Sequence, residues 1–181
     1  LRDRLEEERR EIVASNVQNR PVVDRYANLY DLLNDNSYEK GGWVLHMLRG
    51  LLGDETFFRG IRTYYDRHRH GTVLTRDFRA VMEEVSGRDL GTFFQQWILE
   101  PGYPILEVER RWIPAEDGGT LEVTVRQIQD EAWPSFEMPV EIEVRQGERT
   151  VRETLELAGE RSVVRMELPG NEAPDAVVLD P

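Results

Sequence analysis

"WILEPGYPILEVERRW", residues 97–112, is where this chain changes its period. Before it, apolar residues recur at i, i+3, i+4 and i+7; after Pro104 they alternate with polar ones. The first spacing lines one face of a helix and the second lines one face of a strand. Between them the "EPGYP" segment, residues 100–104, sets two prolines around a glycine, which ends a helix and opens extended chain. The expected fold is multidomain with α and β parts: a helical subdomain over residues 1–102, then an antiparallel β-sandwich over residues 103–181.

Downstream, six alternating runs are predicted as strands: "ILEVERRW", "TLEVTVRQI", "MPVEIEVRQ", "RTVRETLEL", "RSVVRMEL" and "DAVVLD". The segments that separate them, such as "AEDGG", "QGE" and "AGE", are turn-forming, and six short strands so punctuated make an antiparallel sandwich. Upstream, four amphipathic helices are predicted. The first runs from Tyr38 to Leu52 with Gly53 as its C-cap. The second is capped by Asp54 and carries Phe57, Phe58, Ile61, Tyr64 and Tyr65 on one face; the third is capped by Thr75; Asp89 opens a fourth with Leu90, Phe93, Phe94 and Trp97. A short surface helix is predicted over residues 1–14, and an irregular packed connection over residues 16–36 ends in the loop "NDNS".

The formal charge of −12 is spread unevenly. Residues 1–102 hold 17 acids and 15 bases, and residues 103–181 hold 18 and 8. A nucleic-acid partner is not expected, because phosphate binding needs a clustered basic footprint. No run of about 18 apolar residues is present to span a membrane. Cysteine is absent, which removes disulfides and thiolate metal sites. The chain opens on Leu1 and not on methionine, which predicts a piece of something longer.

Chemistry-bearing residues are few. The three histidines, His46, His68 and His70, form no "HExxH" pair. His68 and His70 would point about 200° apart on a helix, given 3.6 residues per turn, and cannot share an ion there. His46 reads as a partly buried helix histidine. No "GxSxG" elbow and no glycine-rich phosphate loop occurs.

One stretch stands out. "NSYEKGGWVLHMLRG", residues 36–50, holds the only lysine of the chain, Lys40, followed by two glycines that helix propensity alone disfavours. It resembles the Tyr-x-Lys-Gly segment of the M1 family of zinc aminopeptidases, a gluzincin family. The resemblance continues in order through "LGDETFFRGIRTYYDRH", "TRDFRAVMEEVSG", "DLGTFFQQWILEPGYPILEV" and the strands beyond, over most of residues 20–181.

The resemblance implies that residues 1–102 correspond to the helical C-terminal half of an M1-type catalytic domain and residues 103–181 to the family's β-sandwich domain. It implies an enzyme that removes N-terminal residues from peptide substrates. Its zinc would be held by two histidines and a glutamate upstream of the tyrosine, so none is expected bound to this fragment, which is expected to be inactive alone. Of the family's catalytic group only the tyrosine is matched, by Tyr38, whose O–H would stabilise negative charge growing on the attacked carbonyl. Gly41 and Gly42 are expected to allow close approach behind that tyrosine, and Lys40 reads as a fixed partner to a carboxylate or a carbonyl. A non-catalytic M1-like scaffold or binding module remains the alternative.

Overall fold

The structure, a computed structural model, describes residues 10, 13, 14, 19–22 and 29–180. The helix expected over residues 1–14 and much of the connection after it lie largely outside the described residues. Two compact units divide the chain, Leu1–Gly102 and Tyr103–Pro181.

In the first unit a 3-10 turn, Leu29–Leu32, precedes a π-helical turn, Asn36–Lys40, that runs directly into helix α1, Gly41–Leu52. Helices α2, Asp54–His68, and α3, Thr75–Ser86, follow, and α4, Gly91–Phe94, continues as a second π turn, Gln95–Leu99. The apolar stripes read from the sequence supply the core: Val44 and Leu48 from α1, Phe57 from α2, Val81 and Met82 from α3, then Leu90, Phe94, Trp97 and Ile98. Phe58 and Tyr65 are exceptions on the α2 stripe; both are exposed, Phe58 with the Arg49 guanidinium over its ring.

Two predicted caps are corrected. Asp54 is the first residue of α2, not its cap; the cap is Gly53, whose φ of 75° makes the corner that glycine favours. The Asp54 carboxylate instead receives Arg49 Nε and Nη2 at 2.7 Å each, clamping the corner. Thr75 likewise sits inside α3, and Leu74 is its cap. There Asp77 supplies the cap chemistry: its carboxylate accepts the Leu74 N–H at 2.8 Å while its own N–H donates to the Leu74 carbonyl at 2.9 Å. The fourth helix starts later than expected, with Leu90 as its cap; Asp89 precedes the cap, its Oδ1 accepting the Gly91 N–H at 2.7 Å.

Helices α2 and α3 pack at Gly60, where an added Cβ would lie 2.4 Å from the Met82 sulfur. Arg67 closes the far end with two bonds to Glu84, at 2.8 and 3.0 Å, and Arg88 reaches the last turn of α1, donating to the Leu51 carbonyl at 2.7 Å.

The second unit is the sandwich. Its strands are β1 (Leu106–Ala115), β2 (Gly118–Gln127), β3 (Met138–Gln146), β4 (Arg149–Leu157), β5 (Arg161–Leu168) and β6 (Ala176–Leu179). They form two antiparallel sheets ordered β1-β2-β5 and β4-β3-β6. Alternation puts Leu121, Val123 and Val125 of β2 and Val140, Ile142 and Val144 of β3 into one shared core. On the outer side of β3 the Glu143 carboxylate is held below its usual pKa by hydrogen bonds from Arg145 and Arg152. Gln127 pins the long β2–β3 connection: its side chain accepts the Phe136 N–H and donates to the Phe136 carbonyl, both at 2.8 Å, with the Phe136 ring fully buried.

The Gly60–Met82 contact gives a test of the helical packing. Gly60→Ala should gain about 1 kcal/mol of helix propensity yet lose about 1–3 kcal/mol by overpacking against Met82. The expected outcome is a net loss of stability, read from urea unfolding followed by helical circular dichroism. A more stable Gly60→Ala chain would show that Met82 yields freely.

Candidate active site

The stretch singled out in the sequence begins in an uncommon geometry. Asn34 Oδ1 accepts the backbone N–H groups of Asn36 (2.9 Å) and Ser37 (3.2 Å), so the chain enters its helix from the "NDNS" loop with a side-chain cap. The Asp35 carbonyl then receives both the Glu39 N–H (2.9 Å) and the Lys40 N–H (3.0 Å). The second of these spans five residues, the mark of a π turn. A π turn holds one more residue than an α turn, so it rotates the residues before it by about 100° relative to the helix that follows. Asn36, fully buried, ties this turn to the preceding chain through a 2.8 Å bond to the Arg20 carbonyl.

Tyr38 lies in the middle of that turn and is 61% exposed. Its side chain borders an open groove of about 490 Å³. Gly41, Gly42 and Leu45 of α1 line the groove beside it, with Tyr64, Phe78 and Phe94 from the other helices. The lining is apolar except for a few hydroxyl-bearing residues, so the phenol stands at the mouth of a hydrophobic trough. A small apolar cleft with one placed polar group is the usual form of a ligand site.

The close approach expected at the two glycines is not made by the described residues. A Cβ on Gly41 would meet nothing nearer than the Asn36 carbonyl at 3.7 Å, and one on Gly42 would meet nothing within 4 Å. No group among the described residues packs closely against these two positions. The missing Cβ atoms widen the groove.

Lys40 is only 5% exposed, which its sequence position between Glu39 and two glycines did not disclose. Its Nζ is shielded from water and has no hydrogen-bond partner among the described residues. Burial alone lowers its pKa from the usual 10.5 to about 8. The Trp43 indole nitrogen and Glu39 Oε2 are likewise buried without a partner.

The histidines do not gather at this site. His46 is exposed and not partly buried, its ring edge-on to Trp43 at 6.0 Å. His68 is the last residue of α2, beside Tyr64, whereas His70 has left the helix with φ at 70°. Among the described residues no three of His, Cys, Asp and Glu come together as a metal site, so they do not fit the zinc that the resemblance implies. Among the same residues no helix is long and apolar enough to cross a membrane.

Lys40 makes the stability of this chain pH-dependent in a definite sense. Below about pH 8 the ammonium is charged in both folded and unfolded states, and its burial cost is present in full. Between about pH 8 and 10.5 the folded chain releases the proton while the unfolded chain keeps it, so stability rises with pH. Lys40→Met should therefore be more stable than the unsubstituted chain at pH 7, by up to about 3 kcal/mol. That advantage should shrink as the pH approaches 10.5, in urea unfolding of the two chains side by side. An advantage that does not vary with pH would contradict the burial of the charge.

Comparison with known proteins places these features. The model of the Peptidase family M1 domain matches residues 2–97. Aminopeptidase N of Lactococcus lactis subsp. lactis is 39% identical over 72 residues, which are 40% of this chain and 8% of that protein. Aminopeptidase N of Escherichia coli is 34% identical over 105 residues, 58% of this chain and 12% of that protein. In fold, the chain is similar to the crystal structure of Legionella pneumophila aminopeptidase A in complex with aspartic acid. The TM-score is 0.71 at 21% identity, over 88% of this chain and 18% of that one. The chain thus spans a small fraction of the length of the relatives it matches. Since the family match takes in the π turn, Tyr38 and helices α1 to α3 and covers more than half of the sequence, the chain belongs to peptidase family M1.

Proposed function

We propose that this chain is part of a zinc metallo-aminopeptidase that hydrolyses N-terminal residues from peptides, and that Tyr38 is its catalytic contribution. In this reading residues 1–102 are the helical C-terminal half of the catalytic domain and residues 103–181 are the adjoining β-sandwich domain. The zinc ligands belong to residues outside those described, and the 181 residues alone turn over no substrate.

The observation that carries the reading is the placement of Tyr38. A family match that covers it, relatives named as aminopeptidases, and an exposed phenol at the rim of an apolar groove all meet at one residue. The chemistry follows from the phenol. As a scissile carbonyl becomes tetrahedral, its oxygen gains negative charge, and a phenolic O–H aimed at that position binds the transition state more strongly than the ground state. A phenol keeps its proton at neutral pH and donates it without being consumed. The groove offers the apolar surface against which a peptide side chain can rest while that happens.

Tyr38→Phe in the full-length parent tests this. Turnover of an aminoacyl anilide should fall about 10²–10³-fold, or roughly 3–4 kcal/mol of transition-state stabilisation. KM should change far less, because the bond strengthens mainly in the transition state. Metal content and melting temperature should match those of the unsubstituted protein. A folded, metal-replete Tyr38→Phe enzyme with near-normal kcat would remove Tyr38 from the reaction.

A further inference from the structure

Two buried donors on one face of the π turn and α1 have no acceptor among the described residues: the Lys40 ammonium and the Trp43 indole N–H. Three residues apart, they are neighbours on the helix surface, and Glu39, whose Oε2 is also buried and unpaired, lies four before Trp43 on the same side. Tyr38, Gly41, Val44, Leu45 and Leu48 border the groove, and neither Lys40 nor Trp43 is among the residues that line it. An ammonium sealed from water with nothing to accept its protons is strongly destabilising. The group that best relieves it is a carboxylate, whose two oxygens can take the ammonium and the indole N–H together. A peptide held in the groove at Tyr38 is not placed to supply it, because neither donor lines that groove. A site shielded from water calls for a permanent partner, and the chain spans only 8% and 18% of the lengths of two of its relatives.

We propose that Lys40 and Trp43 seat an aspartate or glutamate side chain of the same polypeptide, from outside the described residues, and that this makes Lys40 a positioning residue for Tyr38. The second half of the inference rests on the catalytic reading of Tyr38. The coupling is direct. The Lys40 N–H closes the five-residue hydrogen bond to the Asp35 carbonyl, so the residue whose side chain is anchored is also the one that completes the π turn. Released from its seat, the turn can relax toward ordinary α geometry, which swings Tyr38 away from the groove by about 100°.

The test uses the full-length parent with Lys40→Met and Lys40→Gln, alone and combined with Tyr38→Phe. Lys40→Met should lower kcat about 10- to 100-fold while KM stays within about twofold. Lys40→Gln, which still donates to a carboxylate, should recover part of the loss. Neither should add more than about twofold to Tyr38→Phe, since both act through one hydroxyl. Losses that multiply, or an unchanged kcat in Lys40→Met, would overturn the positioning role. Full turnover in Tyr38→Phe would overturn the catalytic reading of Tyr38, and the positioning role with it. The seat is read independently and needs no variant to fold: a crystal structure of the parent should place a carboxylate oxygen within about 3.2 Å of Lys40 Nζ. A carbonyl or a water in that place overturns the seat.

Discussion

The hydrogen bond from the Lys40 N–H to the Asp35 carbonyl sets the arrangement of the site. One extra residue in the first turn of a helix is a small change, but it fixes which side chains look which way. With it, Tyr38 faces the groove formed with Tyr64, Phe78 and Phe94, and Lys40 goes into the interior. π turns are less favourable than α turns and persist where surrounding structure enforces them. Here Asn34 caps the entry and Asn36 ties the turn to the Arg20 carbonyl.

Around that turn the helical unit is held by a few specific contacts as much as by its apolar core. Arg49 clamps the Gly53 corner, Arg88 finishes α1 at the Leu51 carbonyl, and Arg67 ties α2 to α3. Each arginine uses its planar fork to meet a carboxylate or a carbonyl at a helix end, for which lysine is poorly shaped. Among the described residues the lysine is the one cation that lies buried. The contrast gives a physical meaning to a composition of one lysine among arginines.

The sandwich was legible to a fine degree. The runs from Met138, Arg149 and Arg161 start and stop as the alternation predicts, because glycine turns bound them and each strand needs only its own period to choose a face. Helix existence was equally plain, and helix starts were not. Asp54 and Thr75 carry the residue types of caps, yet Gly53 and Leu74 hold those places, since the corner geometry and Asp77 satisfy the free N–H groups another way.

Within the site, the sequence alone singled out Tyr38 and Lys40, through their resemblance to a family segment and the rarity of lysine in this chain. It also excluded a histidine pair of the HExxH kind within these residues. Only the tertiary structure decided that the helix begins with a π turn, that Lys40 is buried with no acceptor among the described residues, that His46 is exposed, and that Gly41 and Gly42 line a groove. The reason is one of range. Period and turn chemistry are properties of adjacent residues and can be read locally, whereas a shift from four- to five-residue hydrogen bonding and the burial of a charge depend on what packs against the helix from far along the chain.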